Sequence, residues 1–178
     1  CYFFQKKIKF LGWILESGKL KADPRKIETL RAWPKPDCKR EVRSLTGFAN
    51  FYKRLIPGFT KLMAPLFDLQ RDEVPNTRAG FAPYWTSAQD SAFEGLKKVL
   101  TSDLVVRVAN PKLPYTLEVD ASQVAVGGIL MQQHPDAPIP QVVEYYSKRC
   151  GSAQDNYFPG KLELLALIVC LEHWKYYL

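Results

Sequence analysis

Residues 8–21, IKFLGWILESGKLK, set short apolar runs on either side of Glu16-Ser17-Gly18-Lys19, the pattern of a β-hairpin. Asp23-Pro24 then opens a helix, with Asp23 as N-cap and Pro24 at the first helical position, where its missing N–H costs nothing. Ile27, Leu30 and Trp33 share one face of that helix, and Pro34-Lys35-Pro36 stops it. A second helix is predicted from Asp37 as N-cap to about Ile56, before Pro57-Gly58, and a third over Thr60 to Gln70. Residues 71–83, rich in Pro, Asn and Gly, read as a loop. Thr86 with Gln89 three residues on is a capping box that opens a helix to about Leu100. A loop through Asn110-Pro111 follows. Strands are predicted at 115–120, 126–132 and 141–147, then a helix over about 157–177. Helices first, then a hairpin-rich sheet with a helix packed on it, give a mixed α+β or α/β class, with a domain boundary near 110 and a weaker one near 75.

The second helix has two unlike faces. Val42, Leu45, Phe48, Ala49, Tyr52, Leu55 and Ile56 form a core-facing stripe at helical spacing. The opposite arc holds Arg40, Arg43, Gly47, Asn50, Phe51 and Arg54: three arginines, no acid, an amide and a ring. Gly47 in a helix interior costs ~1 kcal/mol relative to alanine. Either another helix packs on it, or something flat or grooved approaches the backbone there. A nucleic-acid duplex fits the second case, with Phe51 placed to stack or slide on sugars and the arginines sensing phosphate position.

Charge supports that choice. The net charge is +7 and is unevenly placed, since residues 1–72 carry 16 Lys/Arg against 7 Asp/Glu and residues 73–178 carry 9 against 11. A basic front half joined to a mildly acidic back half fits a bound polyanion at the front; a plain solvated basic surface is the alternative. Cysteines at 1, 38, 150 and 170 are scattered, which points to a reduced intracellular protein, not a secreted one. With only His134 and His173, a zinc site is not indicated. No apolar run spans a bilayer and no signal peptide opens the chain, so no membrane partner is expected. The start at Cys1 is read as that of a fragment or processed product.

Candidate chemistry lies at two carboxylates. Asp120 ends the strand pattern TLEVD. Glu163 stands early in the apolar helix KLELLALIVCLEHW, where Leu164, Leu165, Ile168 and Leu171 are expected to face the core with Glu163 beside them. A strand carboxylate and a carboxylate on a crossing helix can share a divalent ion such as Mg²⁺, which takes oxygen ligands and keeps its waters. A pair of such ions activates water for phosphodiester cleavage. The plainer readings are that Asp120 caps a turn and that Glu163 favours the helix N-terminal dipole.

The chain resembles the reverse transcriptase–RNase H portion of gypsy-type LTR retrotransposon Pol polyproteins. The resemblance rests on five ordered stretches: KFLGWIL with Asp23-Pro24-Arg25-Lys26-Ile27, EVRSLTGFANFYKRLIPGFTKLMAPLFDL, PYWTSAQDSAFEGLKKVLTS, LEVDASQVAVGGILMQQ, and VEYYSKRC with NYFPGKLELLALIVCLEHWKYYL. It implies the end of a polymerase palm with thumb-like helices at 1–75, a connecting segment at 76–110 and the N-terminal half of an RNase H-like domain at 111–178. It implies that Asp120 and Glu163 are the first two acidic ligands of a Mg²⁺ or Mn²⁺ site. The helix with Arg43, Gly47, Asn50 and Phe51 would track the minor groove of a template–primer or RNA–DNA hybrid, with the rest of the Pol polyprotein as partner in a cytoplasmic particle or the nucleus. The parent would copy RNA into DNA and cut the RNA strand of hybrids. Two departures stand out: Pro159-Gly160-Lys161-Leu162 replaces a common Thr-Glu-Lys, and Trp13 replaces a common histidine. The family's polymerase aspartates and later metal carboxylates have no counterpart in these 178 residues, so this chain alone is expected to be inactive. A catalytically inactive or co-opted nucleic-acid-binding relic stays open beside the enzyme fragment. A phosphate-binding ATPase of the actin kind also opens with an Asp-bearing hairpin, but its second phosphate hairpin and adenosine motif are not found.

Overall fold

The computed structural model describes residues 5–102, 104–151, 154 and 157–178. Cys1 lies outside the described residues. The front half opens with β1 (Lys7–Phe10), β2 (Trp13–Glu16) and β3 (Lys19–Ala22) as an antiparallel meander. Both connections are two-residue turns with positive φ at each central position: Leu11 at 48° and Gly12 at 85°, then Ser17 at 51° and Gly18 at 72°. That geometry matches the twist of the flanking strands. The hairpin around Ser17-Gly18 stands as expected. The turn at Leu11-Gly12 had no polar signal to mark it, so an apparently single apolar run is two strands. A strand in the segment read as loop, β4 (Val105–Arg107), pairs with β3 and closes the sheet in the order β1-β2-β3-β4.

Helix α1 (Pro24–Arg31) is capped by Asp23, whose side chain accepts from the Arg25 amide at 3.0 Å. That bond, aided by the Arg25 guanidinium, holds the Asp23 carboxyl below its ordinary pKa against the opposing effect of burial. Helix α2 spans Lys39–Phe51, with Cys38 rather than Asp37 at the N-cap position and no side-chain cap, and a 3-10 turn over Lys53–Leu55 follows it. The predicted helix to Ile56 is therefore broken after Phe51. Helices α3 (Phe59–Asp68), α4 (Arg78–Phe81) and α5 (Ser87–Leu100) follow, α4 lying in the segment read as loop. The capping box on α5 forms: Ala88 N–H donates to Thr86 Oγ1, and Thr86 N–H donates to Gln89 Oε1. Leu30, Leu45, Leu55, Met63, Leu66, Leu96 and Val106 meet in one core that joins α1, α2, α3, α5 and β4.

The back half is a second antiparallel sheet, β5 (Tyr115–Ala121), β6 (Ala125–Gln132) and β7 (Gln141–Arg149), in that order. Helix α6 (Pro159–His173) lies across it. Pro159 takes the first helical position, where it is tolerated, so the Pro-Gly pair does not prevent the start. The face of α6 differs from expectation. Leu162, Ala166, Val169 and Cys170 are buried, whereas Leu164, Ile168 and Leu171 are 56%, 46% and 42% exposed. The helix is apolar nearly all round, so its periodicity could not name the inner side, and the sheet chose it: small side chains at 166 and 170 allow close approach.

Candidate functional site

The hairpin β5–β6 positions Asp120. Asp120 pairs with Gly127, and Glu118 with Ile129. A Cβ on Gly128 would meet Cys170 Sγ at 2.9 Å, so Gly128 faces α6, and Gly127 and Asp120 face the other way. A Cβ on Gly127 would lie 2.5 Å from the Tyr146 carbonyl, and one on Gly128 would lie 2.6 Å from the Glu118 carbonyl. Both glycines are therefore demanded by close strand packing. The turn after Asp120 is held by Ser122, whose hydroxyl bonds with the Ala125 backbone at 2.9 and 3.2 Å. Asp120 is exposed, and no hydrogen bond or ion pair engages its carboxylate among the described residues. It is not a turn cap here.

Asp120 lines a cleft of about 290 Å³ between this sheet face and the start of α3. Glu118, Ser122, Tyr145 and Ser147 line it from the sheet, and Pro57, Gly58 and Lys61 from the front half. Glu163 sits on the second turn of α6, exposed and likewise without a partner among the described residues. The strand register turns Asp120 to the sheet face away from α6, the helix that bears Glu163. Their donor set, free carboxylate oxygens, suits a hard divalent cation. Among the described residues the only three His, Cys, Asp or Glu side chains close enough to share an ion are Asp37, Cys38 and Glu41. Arg78 already occupies that place, 3.0 Å from Asp37 and 3.9 Å from Glu41.

On α2, Arg40, Arg43, Gly47 and Asn50 are exposed, and the side chains of the three polar residues have no partner among the described residues. A Cβ on Gly47 would find nothing within 4 Å, so no other helix among the described residues packs there. Phe51 is 45% exposed and leans on Trp13 and Tyr52, with ring centroids 5.2 and 4.8 Å away. Arg54 leaves this face because α2 ends at Phe51. It instead donates to Glu144 at 2.8 Å. Part of the front half's basic charge is also structural: buried Lys39 donates to the carbonyls of Arg71 and Val74 at 2.6 and 3.2 Å. The role of Glu144, isolated in the apolar stretch VVEYY, carried no signal in the sequence. Among the described residues no helix is long and apolar enough to cross a membrane, and Cys38 and Cys170 are free thiols.

Comparison with known proteins agrees with this architecture. Polyproteins of the transposons Tf2-3 and Tf2-4 of Schizosaccharomyces pombe are each 34% identical over all 178 residues. The chain spans 13% of the length of each of these polyproteins. A foamy viral protease–reverse transcriptase solved with an RNA/DNA hybrid shares the fold over 96% of this chain and 22% of its own, with a TM-score of 0.77 at 16% identity. A second foamy viral structure, solved with double-stranded DNA, covers 95% of this chain and 28% of its own, with a TM-score of 0.78 at 17% identity. Residues 85–178 match the family described as the RNase H-like domain found in reverse transcriptase, and the chain belongs to that family.

Proposed function

We propose that this chain is the thumb, connection and opening RNase H-like part of a retrotransposon reverse transcriptase, and that it holds an RNA–DNA hybrid on α2 while supplying carboxylates to hybrid hydrolysis. The observation that carries the reading is the face of α2: two arginines and an amide without partners among the described residues flank a glycine with open space above it. A duplex can approach that backbone closely, with Arg40 and Arg43 on phosphates and Asn50 and Phe51 toward the groove. The boundaries follow the same reading: residues 1–75 end the palm and form the thumb, 76–110 connect, and 111–178 open the RNase H-like unit. The connecting segment lends β4 to the front sheet.

Asp120 and Glu163 would hold Mg²⁺ or Mn²⁺, both being exposed and free of competing partners among the described residues. When bound, such an ion supplies an activated water and stabilises the leaving oxygen. The chain's own part is to present the Asp120 carboxylate near the end of β5, with Lys61 across the same cleft offering a positive charge to a phosphate. The test is cleavage of a labelled hybrid by the polyprotein carrying this segment, compared with Asp120→Asn. Equal cleavage by the variant would remove Asp120 from the metal site. That Asp120 faces away from α6 favours one second reading, a module that binds hybrid without cutting it. Salt-sensitive binding with no cleavage by the same polyprotein would establish that reading.

A further inference from the structure

Strand β7 is the outer strand of the second sheet, and three of its side chains reach the front half in order. Glu144 Oε2 accepts from Arg54 Nη2 at 2.8 Å, Ser147 Oγ accepts from the Thr60 amide at 2.9 Å, and Arg149 Nη1 pairs with Asp68 Oδ1 at 2.9 Å. The register sets Glu144 opposite Leu130, on the α6 side, and Ser147 opposite Gly127, on the other side. The front half thus grips this edge strand from both faces.

Glu144 is the hub of the grip. Its side chain is 7% exposed, and its second oxygen lies 3.2 Å from His173 Nε2 at the end of α6. The His173 ring stacks on Tyr146 with centroids 3.8 Å apart, which fixes that nitrogen toward Glu144. Burial works against the charge of Arg54, but the contacts with Glu144 and Tyr177 outweigh it and hold its pKa above the ordinary value. One carboxylate therefore ties together the turn after α2, the edge of the sheet and the end of α6.

We propose that Glu144 is a positioning residue that locks the RNase H-like sheet to the segment following α2 and withholds Arg54 from nucleic acid. A guanidinium committed to a nearly buried carboxylate leaves that carboxylate short of a partner if it turns to a phosphate. Arg54 is itself 45% exposed, but its departure would leave the nearly buried Glu144 with only His173, a loss that a solvated phosphate contact does not offset. The duplex-facing surface of α2 then shrinks to Arg40 and Arg43, and the chain itself sets the orientation of the two halves. The withholding of Arg54 rests on the hybrid-binding reading above; the lock does not.

The test uses the 178-residue chain and a short RNA–DNA hybrid. Hybrid affinity is measured against salt for the parent, Arg54→Ala, Glu144→Ala and the double variant, and amide exchange is followed at Thr60. Arg54→Ala is expected to leave the salt slope unchanged. Glu144→Ala is expected to steepen it by roughly one unit, as a freed arginine neutralises one phosphate, and the double variant to return to the parental slope. The Thr60 amide should exchange roughly tenfold faster in Glu144→Ala while α5 keeps its protection. Should Glu144→Ala lose its far-UV circular dichroism, Glu144→Gln takes its place, with the same direction expected. A parental slope that flattens by one unit in Arg54→Ala would show Arg54 on a phosphate and overturn the withholding. Unchanged Thr60 exchange in a folded Glu144 variant would overturn the lock. If the parent binds no hybrid, the hybrid-binding reading fails and withholding fails with it, while the exchange measurement still decides the lock.

Discussion

Gly47→Ala separates folding from binding on α2. Gly47 lies inside Lys39–Phe51, is exposed, and has no atom within 4 Å of where a Cβ would stand. Its φ is not positive, so alanine fits the same backbone. The substitution adds no contact and removes none; it only restricts the unfolded chain and raises helix propensity. The expected gain is about 0.8–1 kcal/mol. In a chain of this size that is a rise of roughly 2–4 °C in Tm, read by calorimetry or a circular-dichroism melt. On the functional side the new methyl stands between Arg43 and Asn50, where the duplex backbone is proposed to come close. Hybrid affinity should therefore fall while stability rises, and Gly47→Leu should extend the loss of affinity. A fall in Tm for the alanine variant would refute the open-space reasoning. A rise in Tm with unchanged hybrid affinity would refute close approach at this glycine.

Gly128→Ala should do the reverse on stability, because its Cβ would lie 2.6 Å from the Glu118 carbonyl and 2.9 Å from Cys170 Sγ; a loss of about 1–3 kcal/mol by urea denaturation is expected. Replacing Arg40 and Arg43 together by alanine should flatten the salt dependence of hybrid binding by roughly two units, uniformly across sequences, in a filter-binding titration. Burial pushes the Cys170 thiol up from 9.0 to about 11. The folded state therefore favours the neutral thiol. The full contribution is present below about pH 9 and is lost as pH rises from about 9 through about 11, of order 2–3 kcal/mol in all. Urea titrations at pH 8 and pH 10.5 should show that decline, and Cys170→Ala should reduce it.

Local chemistry made much of the front half legible. The Asp23-Pro24 cap, the Thr86–Gln89 box and the Ser17-Gly18 turn each pair a side chain or a glycine with a backbone need that lies within four residues. Where the need was met from afar, the sequence was silent. Leu11 at positive φ carries no turn signature, because its conformation is set by the pairing of β1 with β2. Strand β4 exists because β3 offered an open edge some eighty residues earlier, a fact no local window contains. Asp37 sits one residue ahead of the true cap, and its own N–H is taken by Glu41 at 3.0 Å.

The site divides in the same way. Asp120, Glu163 and the arginines of α2 stand out by residue type against their neighbours, so they could be named before any contact was known. What those residues are free to do depends on contacts between distant segments. Arg54 looks like Arg40 and Arg43 on a helical wheel, yet the break after Phe51 swings it to Glu144, ninety positions away, and removes it from the set. Asp120 and Glu163 stand out as carboxylates in apolar stretches, but which sheet face Asp120 takes is set by the strand pairing at Gly127 and Gly128. Lys61, exposed on α3 with no distinguishing context in the sequence, shares the Asp120 cleft because α3 packs on β7, tied there by Ser147 and Arg149. A loosened joint at β7 would thus reach the cleft through Lys61 before it reached Asp120, whose strand is fixed by its own pairing with β6.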